Sequence, residues 1–207
     1  FLWVANACSS RWGSFRRRSG GVSRRLPVQR RLRRRRRPES WNRIESIGNA
    51  MTVTETLKHL GIVVPPAPGA VAAYEPWVRT GNLVFTSGQL PWRDGVMAYA
   101  GRLGAELTVE QGYQAARQCA LNALAQLQAA AGGDVNRVRR LVRVEGYVHC
   151  AAGFRGHPQV LNGASDLFNA VFGARGAHAR LAIGVSDMPL DAAVQITVTA
   201  EVDELCR

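Results

Sequence analysis

The feature that most limits how this chain can fold is an uninterrupted alternation of side chains near its C-terminus. From Val194 to Asp203, every second residue is apolar and the residues between them are polar. The apolar positions are Val194, Ile196, Val198, Ala200 and Val202, and the polar positions are Gln195, Thr197, Thr199, Glu201 and Asp203. Successive side chains of a strand point to opposite faces, so this pattern predicts a half-buried strand with one apolar and one polar face.

A second apolar run, His178 to Val185, precedes this strand, and the proline and two aspartates of Asp187–Asp191 between them are turn residues. The pattern predicts a hairpin. With a four-residue loop, Arg180 pairs with Thr199 and faces the same way as Gln195. A guanidinium stays charged and fits a carboxylate through two hydrogen bonds, so Arg180 is a candidate anchor for a small acid. On spacing alone, an ordinary surface arginine at a strand start is the alternative.

Two long helices are predicted before this region. Thr108 and Gln111 form a capping box, and the alanine-rich stretch 115–131 continues that helix to a Gly-Gly stop. The β-branched segment 141–150 is a predicted central strand, and the apolar stripe within 158–172 is the second helix.

The turn residues Gly81-Asn82 predict a further hairpin, and a second turn at 92–95 leads into a predicted short strand around Val96 to Tyr99. The expected fold is α+β, with about six strands in a mainly antiparallel sheet and two helices on one of its faces. The other face needs cover, and a second subunit is one candidate for that cover.

The net charge of +12 comes entirely from the first 50 residues. That segment has 14 arginines and two glutamates, which leaves 13 basic and 13 acidic residues in 51–207. Its few large apolar residues and lack of periodicity predict disorder, so the expected organisation is a disordered arginine-rich segment, 1–50, and one domain, 51–207.

Three interpretations of 1–50 stay open. It is a mitochondrial transit peptide, or a basic arm for RNA or phosphate, or a stretch upstream of a true start at Met51 and no part of the natural protein. The expected location is the cytoplasm, with the mitochondrion as the alternative if the segment is a transit peptide. The four cysteines are scattered and give no zinc or redox spacing, so no metal site is expected. No apolar run is long enough to cross a membrane.

Three segments in order resemble the reactive intermediate deaminase family, RidA or YjgF, and specifically a branch with an NGASDL helix. They are GNLVFTSGQLP at 81–91, NGASDLFNAVFG at 162–173 and HARLAIGVSDMPLDAAVQI at 178–196. The resemblance spans roughly 57–204. It implies a chorismate-mutase-like α+β domain that assembles as a homotrimer with a cleft at each subunit boundary.

The resemblance also implies an activity without a cofactor. The best-known members hydrolyse 2-imino acids of the 2-iminobutanoate and 2-iminopropanoate type, formed from enamines, to 2-keto acids and ammonia. The implied carboxylate-binding arginine is Arg180, the pocket tyrosine Tyr74, the serine Ser87 and, with a one-residue difference in spacing, the helix asparagine Asn162. The expected catalytic residues are Arg180, Gln195 and Tyr74, and the expected substrate-binding residues are Arg180, Ser87, Asn162 and Ala182.

One position departs from the family pattern. The best-known members have a glutamate where this chain has Gln195. An amide can orient a water molecule but cannot accept its proton. Slow hydrolysis, another substrate, or a regulatory trimer that only binds a small acid are the interpretations left open. Besides hydrolysis and non-catalytic binding of a small acid, RNA binding or cleavage is a third candidate function, and its support in the sequence is the basic segment 1–50.

Overall fold

The computed structural model describes residues 51–69 and 72–204, and the predicted disordered segment 1–50 lies outside the described residues. The helices described are α1 (Val53–His59), α2 (Val109–Ala130) and α3 (His157–Phe172). The strands are β1 (Trp77–Thr80), β2 (Leu83–Thr86), β3 (Trp92–Arg93), β4 (Val96–Met97), β5 (Val138–His149), β6 (Ala179–Val185) and β7 (Val194–Val202).

Five strands form one sheet in the order β1-β2-β7-β5-β6, and β3 and β4 form a separate hairpin. Only the β5–β6 pair of this sheet is parallel. The predicted α+β class, the mainly antiparallel sheet and the hairpin at Gly81-Asn82 are therefore confirmed. The strand count differs from the expected number of about six, because the described residues contain seven strands in two sheets, and α1 is a short helix in addition to the two long ones.

The predicted hairpin between β6 and β7 is wrong, because β5 lies between these two strands. Helix α3 connects β5 to β6 and returns the chain to the same end of the sheet, so β6 runs parallel to β5. Strand β7 then pairs with the opposite edge of β5. The link 186–193 crosses over the end of β5, where His149 Nε2 lies 3.1 Å from the Ser186 carbonyl oxygen.

Both long helices cover the apolar face of the sheet and build the core. Helix α2 begins with the predicted capping box, in which Thr108 Oγ1 accepts from the Gln111 amide at 3.2 Å and Gln111 Oε1 accepts from the Thr108 amide at 2.9 Å. The fully buried side chains with the largest volumes include Phe168, Leu124, Leu127, Leu141, Leu161 and Ile196. All apolar residues of the alternating strand β7 are buried in this core.

The second face of the sheet has no helix over it within the described residues. Gln195, Thr197 and Thr199 lie there half-buried. Apolar side chains lie there as well, and Phe85 and Ile183 are 38% and 40% exposed. This face of the sheet, which carries Gln195, Thr197 and Thr199, is called the open face. None of the helices described is long and apolar enough to span a membrane.

Candidate functional site

Arg180 lies near the start of the edge strand β6 and points toward helix α3. Its Nη1 donates to Asn162 Oδ1 at 2.8 Å and to Ser165 Oγ at 3.2 Å. Asn162 and Ser165 are three residues apart on α3 and therefore neighbours on one helix surface. The helix fixes one end of the guanidinium in this way, while the arginine side chain stays exposed to solvent.

A histidine completes this group of side chains. His178 Nε2 lies 3.1 Å from Ser165 Oγ, and its Nδ1 lies 2.6 Å from the Gly176 carbonyl oxygen. An open cavity of about 290 Å³ adjoins Ser165, Asn169, Ala177, His178 and Arg180. Asn162, Ser165, His178 and Arg180 are referred to here as the arginine cluster.

The remaining predicted site residues line a different cavity, the tyrosine pocket, of about 600 Å³. Its lining residues are Tyr74, Ser87, Gly88, Leu90, Pro189, Leu190 and Gln195. Ser87 Oγ donates to the Glu75 carbonyl oxygen at 2.6 Å, and this hydrogen bond holds together the side of the pocket that Tyr74 and Ser87 line. The Gln195 amide lies directly over Gly88, and a Cβ on Gly88 would overlap it. Only glycine therefore leaves room for the Gln195 side chain in this position.

The expectation that Arg180 and Gln195 share a face is wrong. Arg180 is level with Val144 of β5, whereas Gln195 is level with Tyr147, so the two side chains lie on opposite faces of the sheet. They are also two strands apart, about 10 Å sideways, and three residues apart along the strands, roughly another 10 Å. The arginine cluster and the tyrosine pocket of one chain therefore do not form one cleft for a small acid.

Ala182 follows Arg180 on the same face of β6, level with Gly146. It is half-buried and packs against the hydrophobic core, next to the site rather than in the cavity wall. The structure thus brings Asn162 to Arg180 and Tyr74 and Ser87 to Gln195, and it separates these two sets. The catalytic and binding roles of these residues remain predictions.

Two cysteines lie in the described residues. Burial raises the pKa of the Cys119 thiol well above its usual value, and burial also raises the pKa of Cys150, which lies 3.5 Å from His157 Nε2. Both are held as thiols, which are poor nucleophiles. No group of three His, Cys, Asp or Glu side chains within the described ranges is placed to hold a metal ion.

Ser165 and His178 were not among the site residues predicted from the sequence. A signal was present for each, because Ser165 lies inside the NGASDL segment and His178 is two residues before Arg180, which is the spacing of one strand face. Neither signal shows that the two side chains meet. That contact depends on how α3 packs beside β6.

A mainly antiparallel sheet with helices on one face defines an α+β domain. Residues 55–202 match the family described as "YjgF/chorismate mutase-like, putative endoribonuclease". Protein TCP17 of Trypanosoma cruzi is 42% identical over 152 residues, which cover 73% of this chain and 94% of that protein.

Solved structures give the same result. A protein of unknown function from Agrobacterium tumefaciens is 39% identical, with a TM-score of 0.68 over 73% of this chain and 92% of that one. A Shewanella oneidensis protein described as a "putative endoribonuclease" is 37% identical, with a TM-score of 0.71 over 73% of this chain and 100% of that one. The chain belongs to the YjgF/chorismate mutase-like family. Its place in the branch with the NGASDL helix remains a prediction.

Proposed function

We propose that this protein hydrolyses reactive 2-imino acids to 2-keto acids and ammonia. The observation that carries the proposal is the anchoring of Arg180, whose Nη1 is held by Asn162 and Ser165 beside an open cavity. A fixed guanidinium loses little conformational freedom when it binds a carboxylate through its remaining nitrogens. The iminium carbon is already electrophilic, so the site needs chiefly to hold the substrate and position a water molecule.

The proposed assembly is a homotrimer in which the arginine cluster of one subunit faces the tyrosine pocket of the next. Two observations support it. The predicted site residues lie in two groups that one chain cannot combine, and the open face carries apolar side chains that a partner would bury. In such a cleft Arg180 binds the substrate carboxylate, while Tyr74, Ser87 and Gln195 orient substrate and water by hydrogen bonding.

Replacing Arg180 tests the proposal. With an imino acid generated in the assay by an amino-acid oxidase, wild-type protein should accelerate ammonia release, and Arg180→Ala should lower kcat/KM by about 100-fold. That factor is the lower end of the expected range, because two hydrogen bonds to a charged group are lost, at roughly 1.5–3 kcal/mol each, or about two to four powers of ten together. The matched control is Arg155→Ala, which removes an exposed arginine from the loop before α3 and should leave activity unchanged.

A non-catalytic role in binding small acids is the second candidate, and the amide at Gln195 favours it. In that case pyruvate would raise the melting temperature of the wild type but not of Arg180→Ala, and no imino acid would be turned over. Absence of acceleration with several imino acids would overturn the deaminase proposal.

RNA cleavage is a third candidate function because the family description includes the words "putative endoribonuclease". The balance of 13 basic and 13 acidic residues in 51–207 offers no excess charge for phosphate. Binding of RNA by residues 51–207 alone would contradict this charge argument.

A further inference from the structure

The arginine cluster holds a histidine and a serine in an orientation suited to moving a proton. The Gly176 carbonyl oxygen can only accept a hydrogen bond, and His178 Nδ1 lies 2.6 Å from it. Nδ1 therefore carries the proton of the neutral ring, and Nε2 is left as an acceptor. The Ser165 hydroxyl, 3.1 Å from Nε2, must then donate to the ring.

The ring and the hydroxyl are both fixed by their surroundings. Phe168 meets the His178 ring edge-on, with 6.1 Å between ring centroids and an interplanar angle of 89°. Ser165 is 9% exposed and lines the cavity beside Arg180. Its oxygen has two acceptor positions, and Arg180 Nη1 occupies one of them at 3.2 Å. The second acceptor position can take a hydrogen bond from a water molecule in the cavity.

We propose that Ser165 and His178 form a proton relay beside Arg180. This relay supplies the proton acceptor that the Gln195 amide cannot provide. This inference rests on the proposed deaminase function and adds the group that the reaction otherwise lacks. A water molecule donates to Ser165 Oγ while Ser165 donates to His178 Nε2. The water proton moves to Ser165, and the Ser165 proton moves to Nε2, so the imidazole becomes an imidazolium.

The reaction begins with a protonated imine as the substrate. The water oxygen forms a bond to the imine carbon, and the C=N π electrons move to nitrogen, which gives a neutral carbinolamine and an imidazolium. The same proton then returns through Ser165 to the amine nitrogen. Ammonia leaves with the C–N electron pair, and the carbinolamine hydroxyl proton leaves with it as the C=O double bond forms. The products are a 2-keto acid and ammonium.

The deciding variant is His178→Gln. A glutamine oxygen can still accept from Ser165, but the amide takes up no proton. We expect kcat for imino-acid hydrolysis to fall by about 100-fold or more, the usual contribution of a positioned proton acceptor. The dissociation constant of pyruvate, measured by calorimetry, should be unchanged because Asn162 still holds Arg180. Ser165→Ala should lower kcat similarly, and the exposed His59→Gln in α1 serves as the matched control.

The outcomes separate the two proposals. Wild-type kcat in His178→Gln and Ser165→Ala, with activity still lost in Arg180→Ala, overturns the relay alone. Weaker pyruvate binding in proportion to the lost activity also overturns it, because His178 would then act only by holding Arg180 in place. No acceleration by the wild-type protein overturns the relay and the deaminase function together.

Discussion

Gln195 is the residue at which the chemistry of this chain is expected to differ from that of the best-known family members. Glutamate has nearly the same shape as glutamine, and a carboxylate at this position would add a proton acceptor to the tyrosine pocket. The Ser165–His178 pair would already serve that purpose on the opposite side of an inter-subunit cleft. One acceptor is enough for the reaction, so the effects of the two groups should not be independent.

Gln195→Glu should therefore act differently in two backgrounds. In the wild type we expect kcat to rise only a few-fold, whereas in His178→Gln it should rise by roughly tenfold or more, because a missing proton acceptor is replaced. Steady-state rates of ammonia release measure both changes. Equal factors in the two backgrounds would show that the two positions do not substitute for one another.

Residue types near the site were predictable, but their partners were not. The three ordered motifs predict a carboxylate-binding arginine at Arg180 and a site asparagine at Asn162, and the structure adds that Arg180 Nη1 donates to Asn162 Oδ1. The contact of Ser165 with His178 spans 13 positions between a helix and the residue before a strand. No periodicity within either element fixes the distance between them.

Helices α2 and α3 meet at a glycine. A Cβ on Gly163 would overlap the Tyr113 carbonyl oxygen, which is backbone and cannot move aside without shifting the helix. Gly163 lies next to Asn162 and two residues before Ser165, so the same approach of the helices places the arginine cluster. Packing at this glycine and the geometry of the site are therefore coupled.

Gly163→Ala should lower the free energy of unfolding by about 3 kcal/mol or more, at the upper end of the usual cost of overpacking. Gly112→Ala in α2 is the matched control, because its added Cβ would meet the ends of the Leu103 and Val160 side chains at 2.6 and 2.9 Å. These side chains can rotate, and alanine favours a helix, so the loss should be smaller. Urea titration of both variants measures the difference. A smaller loss in Gly163→Ala than in Gly112→Ala would contradict this account.

The prediction that β6 and β7 are neighbours in the sheet was wrong. The turn residues at 187–191 correctly indicated a reversal between two strands. A link of this length can join neighbouring strands or pass over one strand between them, and the second case applies because β5 lies between β6 and β7. His149 lies at that crossing, with Nδ1 3.2 Å from Asp191 Oδ1 and Nε2 near the Ser186 carbonyl.

In the proposed trimer the active site is shared between subunits. The arginine cluster lies on the helix side of β6. Gln195 extends from the open face of the sheet and lines the tyrosine pocket. If each active cleft combines one cluster with the pocket of another subunit, two inactive variants can restore a working cleft when mixed.

Mixed trimers of Arg180→Ala and Ser87→Ala test this. In a random one-to-one mixture, roughly one cleft in four has an intact arginine cluster and an intact tyrosine pocket, so about a quarter of wild-type activity should return after the subunits are unfolded together and refolded. Light scattering coupled to gel filtration gives the mass of the assembly. A monomeric mass, or no recovery of activity in mixed trimers, would contradict a shared cleft.

The alternation in β7, the cap of α2, the helical stripe of α3 and the turn at Gly81-Asn82 are short-range patterns, and the sequence was sufficient to predict each of them. The family motifs added the fold class and the position of Arg180. The placement of β5 between β6 and β7, the separation of Arg180 from Gln195 and the meeting of Ser165 with His178 arise from the packing of α3 on the sheet. Such packing is a property of many distant residues together, so no short stretch of the chain encodes it.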